Sequence, residues 1–280
     1  MIGLWHYAFI QHAVLAGVIT ALVAGCVGPF VIMRNMSFAV HGLAEVGFTG
    51  AAGAILAGLP PAAGVLTASF AAAAAIGLLG VRLRERDVAV GSVLAFGVGL
   101  GVLFLSLTSR YATEAFTILF GSILAVSQRD VERSLLVGVV ALLALTAIYR
   151  PLRFASIDPE VAEARGVPVR FLSSAFLMIL ALAVTEAVQV VGALLVLTLL
   201  IVPAGAATRL TSDPVRTVAW SIAIALGATL GGLACAVSTS LPVSFFVSGF
   251  SFAAYLIARA LGPRLLGAAG PAAPPDPETE

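Results

Sequence analysis

The chain has 280 residues, 60% of them hydrophobic and only 10% charged, with a formal net charge of +1 and a mean hydropathy of +1.10. A soluble domain of this size has no use for so much apolar surface. The apolar runs are continuous and do not alternate, so the sequence predicts an all-α polytopic membrane protein and argues against a β-barrel. Nothing in the charge balance points to nucleic acid, and every one of the 15 basic residues is arginine. Without lysine the phosphate-binding loop GxxxxGK[ST] cannot exist in this chain, so it cannot hydrolyse ATP by that route unaided.

The first span is expected at about residues 8–33, with Gly28-Pro29 as a kink. The N-terminus lacks the basic region of a cleavable signal, so this run reads as a retained span. Arg34 follows, and the second span covers about 37–56. After the uncharged turn Leu59-Pro60-Pro61, the third span is expected at 62–81, ahead of the densest charge cluster, Arg82 to Asp87. The fourth span, about 88–107, carries Gly97 and Gly101 one helical turn apart; Gly227 and Gly231 repeat that spacing in the eighth. Small residues so spaced let helices approach closely, within one subunit or between two copies.

Between Arg110 and Arg133 the apolar piece 115–126 is too short to span and reads as an interfacial or re-entrant helix. The fifth span is expected at 134–149, the sixth at 171–188, the seventh at 191–207, the eighth at 217–237 and the ninth at 243–261. About nine spans result; eight remain the alternative if a weak one is demoted. Residues 1–269 form one transmembrane domain. The tail 270–280, rich in proline and acid, is expected to be disordered. Cys26 and Cys235 lie in apolar runs and read as small core residues, not as a disulfide or zinc site.

Within the second span, His41 and Glu45 stand four residues apart, which places both on one face of a helix. Ionisable groups inside a membrane are costly and by default suggest a function. Imidazole and carboxylate are suitable ligands for a divalent transition metal. A hydrogen-bonded polar pair between packed helices is the blander alternative. Both side chains are expected to face a pathway in the outer half of the span. Glu186 and Gln189, three apart near the end of the sixth span, are further pathway candidates. For them a helix-end polar pair at the interface is the alternative.

The polar stretch 150–170 contains a short helix with clear end signals. Asp158 caps it, Pro159 suits its first turn, and Glu160 complements the positive end of the dipole. Arg165 suits the last turn, and Gly166 with Pro168 stops it. Arginines cluster at alternate turns, at Arg34, Arg82 to Arg86, Arg150 to Arg170, Arg209/Arg216 and Arg259/Arg264. That side is expected to be cytoplasmic. Nine spans then put the N-terminus outside and the C-terminus inside. Arg110, Arg129 and Arg133 fall on the other side, against the trend.

Four blocks, in order, carry a family resemblance: MRNMSFAVHGLAEVGFTGAAGAILAG, FGSILAVSQRDV, SIDPEVAEARGVPV and VQVVGALLVLTLLIVPAGAATRLT. As a set they resemble the permeases of bacterial ABC importers for zinc, manganese or iron, over about residues 10–264. The resemblance implies a cell-membrane permease, working as a dimer. It implies a separate cytoplasmic ATPase and an extracellular solute-binding protein that delivers the metal. It implies that the helix around Asp158, Pro159, Glu160, Ala162, Glu163, Arg165 and Gly166 is a cytoplasmic coupling helix for that ATPase. No permanently bound cofactor is implied, only a transported divalent metal. The chain departs from the family at the second span: the family usually has aspartate where His41 stands and histidine where Glu45 stands. An ABC permease for iron-siderophores or a cobalamin-like ligand is the alternative within this class. An ion-driven secondary transporter is the alternative from another class, and it expects an inverted repeat, of which no convincing trace is present.

Overall fold

The structure is a computed structural model, and it describes residues 7–80, 86–108, 119, 121, 123–239 and 241–267. The expectations for Arg82 to Glu85, for Arg110, for most of the short piece 115–126 and for the tail 270–280 fall outside the described residues.

Eleven α-helices are described: α1 (Ala8–Met33), α2 (Ser37–Leu56), α3 (Pro61–Leu79), α4 (Arg86–Ser106), α5 (Gln128–Ile157), α6 (Pro159–Ala164), α7 (Val169–Val191), α8 (Val196–Leu200), α9 (Val202–Leu210), α10 (Pro214–Thr239) and α11 (Val243–Gly267). Short 3₁₀ turns, Ile123–Ala125 and Ala193–Leu195, precede α5 and α8. Eight of these helices are long and apolar enough to cross a membrane: α1 to α5, α7, α10 and α11. The chain is an all-helical multi-pass membrane protein.

The helices alternate in direction, and named contacts fix which ends lie together. Arg34, at the end of α1, bonds Ser156 near the end of α5 and Ser173 in the first turns of α7. Ser134, near the start of α5, bonds Glu186 near the end of α7. Gly17 of α1 faces Thr229 of α10, and Gly25 faces Ile222, so these two helices are antiparallel. Gly262 of α11 packs on the carbonyl of Arg209 at the end of α9. One end of the bundle thus gathers Arg34, α6, Arg209 and the C-terminal turns of α11. The other carries Pro60, the start of α5 and the end of α7.

The seventh span is not a continuous helix. Gly192, at φ 83°, ends α7 in a conformation few other residues tolerate. A 3₁₀ turn, α8 and α9 follow, broken again where Ile201 precedes Val202 and Pro203. Pro203 has no N–H to give to a continuous helix. The expected seventh span is thus a short, broken apolar segment, and the described residues hold eight helices of spanning length, the alternative count of the sequence analysis.

The fifth span is longer than its hydropathy indicates. α5 has 30 residues and continues into polar sequence at both ends. Ser127 and Asp130 form a capping box at its start, where Ser127 Oγ accepts from the Asp130 N–H at 3.3 Å and the Ser127 N–H donates to Asp130 Oδ2 at 3.1 Å.

α1, α2 and α7 form the centre, each with 67% of its apolar window buried, against 28% for α4 and 22% for α5 and α11. Small residues make this density possible. Gly28 packs on the Leu200 carbonyl, and Gly50 of α2 meets Gly64 of α3. Gly97 and Gly101 of α4 are filled by Val46, Phe48 and Thr49 of α2, so that face is an intrachain one. Gly231 faces Phe250 of α11, whereas Gly227 has open space beside it.

Candidate functional site

α2 owes its position to neighbours on two of its faces. Gly42, Val46, Thr49 and Gly53 meet α4, and Thr49 Oγ1 donates to the Gly97 carbonyl at 2.6 Å. Gly47 and Gly50 meet α3, and Ser69 Oγ donates to the Leu43 carbonyl at 3.3 Å. His41 and Glu45 are both half-buried, and Phe48 and Ala52, seven residues further along the same side of α2, are buried. Phe38, near the start of the helix, is 43% exposed.

α2 starts at Ser37, next to the Arg34 end, and finishes at Leu56 beside Pro60. His41 and Glu45 are its fifth and ninth residues of 20. They therefore lie in the half nearer Arg34, roughly 6 and 12 Å along the axis from the start of α2.

Glu186 and Gln189 are separated by the fold. Glu186 is buried, accepts a hydrogen bond from Ser134 Oγ and sits between α7 and α5. Gln189 instead lines a cavity of ≈ 390 Å³ at the Pro60 end. That cavity is walled by Ile55 of α2, Pro60 and Pro61, Val126, and Asp130 and Arg133 of α5. Sequence reasoning did not bring the start of α5 to this mouth; the signal available was the capping pattern Ser127 to Asp130. Among the described residues, no cluster of three or more His, Cys, Asp or Glu gathers in one place. One chain thus offers His41 and Glu45 as a pair only.

At the opposite end α6 has the local structure its sequence dictates. Asp158 Oδ1 accepts from the Val161 N–H at 3.0 Å, Pro159 opens the helix, and Gly166 follows it at φ 80°. Asp158, Pro159, Glu160, Glu163, Arg165 and Gly166 are exposed, and Val161 with them. Ala162 is the exception. It is 0% exposed and packs against Ala155 of α5 and Leu172 of α7. It seats the helix on the bundle and presents no surface to a partner, which corrects its assignment to the contact face.

A family model described as ABC 3 transport family matches residues 6–261. The chain belongs to the ABC 3 transport family. The manganese transport system membrane protein MntC of Listeria monocytogenes is 32% identical to it over 211 residues, 75% of this chain and 75% of that protein. The manganese import system permease protein ScaB of Streptococcus gordonii is 31% identical over 232 residues, 82% of this chain and 83% of its own. Among solved structures, PsaBC from Streptococcus pneumoniae in complex with Fab matches at a TM-score of 0.83 and 27% identity, covering 96% of this chain and 98% of that one. As an ABC 3 transport family member the chain is a transport permease.

Proposed function

We propose that this chain is the membrane permease subunit of an ABC importer for a divalent transition metal, with manganese as its first cargo candidate. The observation that carries the reading is His41 and Glu45, two half-buried groups of metal-ligand type one turn apart on a central helix, in a family whose relatives are named as manganese permeases. Neutral imidazole and carboxylate suit manganese, zinc and ferrous iron alike. Two ligands from one chain hold a metal loosely enough for release, and a second copy that brings its own pair near supplies two more. A closed four-ligand cage is the design of structural sites, where the ion stays.

The exposed face of α6 docks on a separate cytoplasmic ATPase, and an extracellular solute-binding protein loads the opposite mouth. The Arg34 end is then cytoplasmic, with Arg150, Arg153, Arg165, Arg170, Arg209 and Arg216 at or near it. This places the N-terminus outside and the C-terminus inside a bacterial cell membrane. Arg133 at the other end is ion-paired with Asp130 at 3.6 Å, so it adds little net positive charge there.

The test is uptake into proteoliposomes holding the permease, its ATPase and its binding protein. ATP-dependent accumulation of manganese, competed by zinc or iron to the degree that they share the site, is expected. Uptake of an iron-siderophore complex with no uptake of free metal would replace this reading by the chelate alternative.

A further inference from the structure

We propose that Arg34 is a positioning residue that links the cargo helix α2 to the coupling helix α6. The proposal rests on the reading of α6 as the ATPase contact. Arg34 Nη1 donates to Ser156 Oγ at 3.2 Å, and Nη2 donates to Ser173 Oγ at 2.5 Å. Ser156 lies two residues before the cap of α6, and Ser173 lies in α7, the next helix after it. One guanidinium therefore holds both flanks of α6 from outside that segment. Ser156 Oγ can accept because its own proton goes to the Leu152 carbonyl at 2.6 Å.

The other side of the link runs into α2. Arg34 ends α1, and only Asn35 and Met36 separate it from Ser37, the first residue of α2. That corner is stiff. Asn35 takes φ 53°, a conformation costly for most residues but accessible to asparagine. The Met36 N–H donates to the Val31 carbonyl at 2.9 Å, and the Met36 side chain is 1% exposed. His41 follows only seven residues after Arg34. A displacement of α6 that moves Ser156 and Ser173 pulls on Arg34 and, through this corner, on the start of α2.

The link is reinforced by aromatic packing. Arg34 Cζ stands 5.9 Å from the centroid of the Phe176 ring on α7, within cation–π range. Phe176 meets Phe30 of α1 at 6.2 Å, and Phe30 meets Tyr149 of α5 edge-on at 5.6 Å. Arg34 thus sits on a node shared by α1, α5 and α7. Its planar fork reaches two hydroxyls while its charge lies over a ring, a combination that the point charge of lysine cannot reproduce.

The test measures manganese imported per ATP hydrolysed by the reconstituted complex of permease, ATPase and binding protein. Arg34→Gln should lower that ratio by about tenfold, within the usual range of coupling between sites, with the ATPase still bound at wild-type stoichiometry. Arg34→Lys should fall between. The Ser156→Ala/Ser173→Ala double variant keeps the charge and the ring contact, so it tests the fork even if Arg34→Gln folds poorly. It should lower the ratio several-fold, and adding Arg34→Gln to it should cost less than Arg34→Gln alone. A ratio within twofold of wild type in the serine double variant overturns the link. If instead Val161→Asp, on the exposed face of α6, leaves ATPase binding and the ratio unchanged, the coupling reading itself fails and the link fails with it.

Discussion

Gly50→Ala tests whether the α2–α3 contact is as close as the fold requires. Gly50 and Gly64 face each other across that contact, and a Cβ on either falls well inside the van der Waals radius of the other's carbonyl oxygen. Ala68 Cβ also lies well inside contact distance of the new methyl at Gly50, so no flexible side chain can yield. Ordinary carbon contacts are about 3.5–4.0 Å, so the two helices must part by roughly an ångström. A gap of about 0.5–1 Å forfeits roughly a quarter to a half of each dispersion contact along the seam. Overpacking of this kind costs about 1–3 kcal/mol. Gly227→Ala is the control, because nothing lies within 4 Å of a Cβ there. Thermal inactivation of the purified protein in mild detergent, read as loss of the monodisperse peak, ranks the variants. Gly50→Ala should lose its peak at a lower temperature, and Gly227→Ala should match wild type or exceed it. Equal stability of Gly50→Ala and wild type would refute the close approach.

Further outcomes follow from single contacts. Thr49→Val removes the bond to the Gly97 carbonyl that holds α2 to α4; interhelical bonds of this type are worth about 0.6 kcal/mol on average and up to about 1.7, so a small drop in thermal stability is expected and a gain would contradict the assignment. Asp158→Ala removes the cap of α6 and should weaken that helix by about 1 kcal/mol, read as reduced ATPase stimulation with the membrane helices unchanged in circular dichroism. Ala162→Leu and Val161→Asp separate seating from contact: the buried Ala162 should lower thermal stability when enlarged, whereas Val161→Asp should uncouple hydrolysis from transport at wild-type stability. The double exchange His41→Asp with Glu45→His restores the family's usual order and should retain uptake with an altered ratio of manganese to zinc, measured by competition.

Much of the fold was legible because a bilayer imposes length and polarity on each span. α2 begins and ends where its sequence changes character, at Ser37 and Leu56. α5 was shortened in the sequence reading because hydropathy reports apolar thickness, and its first and last turns are polar although helical. The break in the expected seventh span was only half legible. Pro203 stands in the sequence, but the positive φ of Gly192 depends on the tertiary setting of the turn after it, which packs against α2 and α7. The end signals of α6 are local and were read correctly, while its buried side was not, because a helix of six residues has no periodicity to show which face the bundle covers. Glu186 and Gln189 share a helix, yet α5 covers one and the cavity receives the other; that division depends on a long-range neighbour, Ser134, 52 residues away in sequence. The tertiary contacts of Arg34 add which other helix ends lie beside the start of α2, those of α5 and α7.

The central claim is that the strip of α2 bearing His41 and Glu45 handles the metal. The most direct measurement is the initial rate of ATP-driven manganese uptake by the reconstituted complex, for wild type, His41→Ala and Glu45→Ala. Each alanine variant should assemble with the ATPase and hydrolyse ATP, yet import manganese at a rate reduced by about an order of magnitude, since each would remove one of the two proposed ligands. Wild-type uptake of manganese, and of zinc, by both variants would show that His41 and Glu45 are packing residues and that the cargo passes elsewhere.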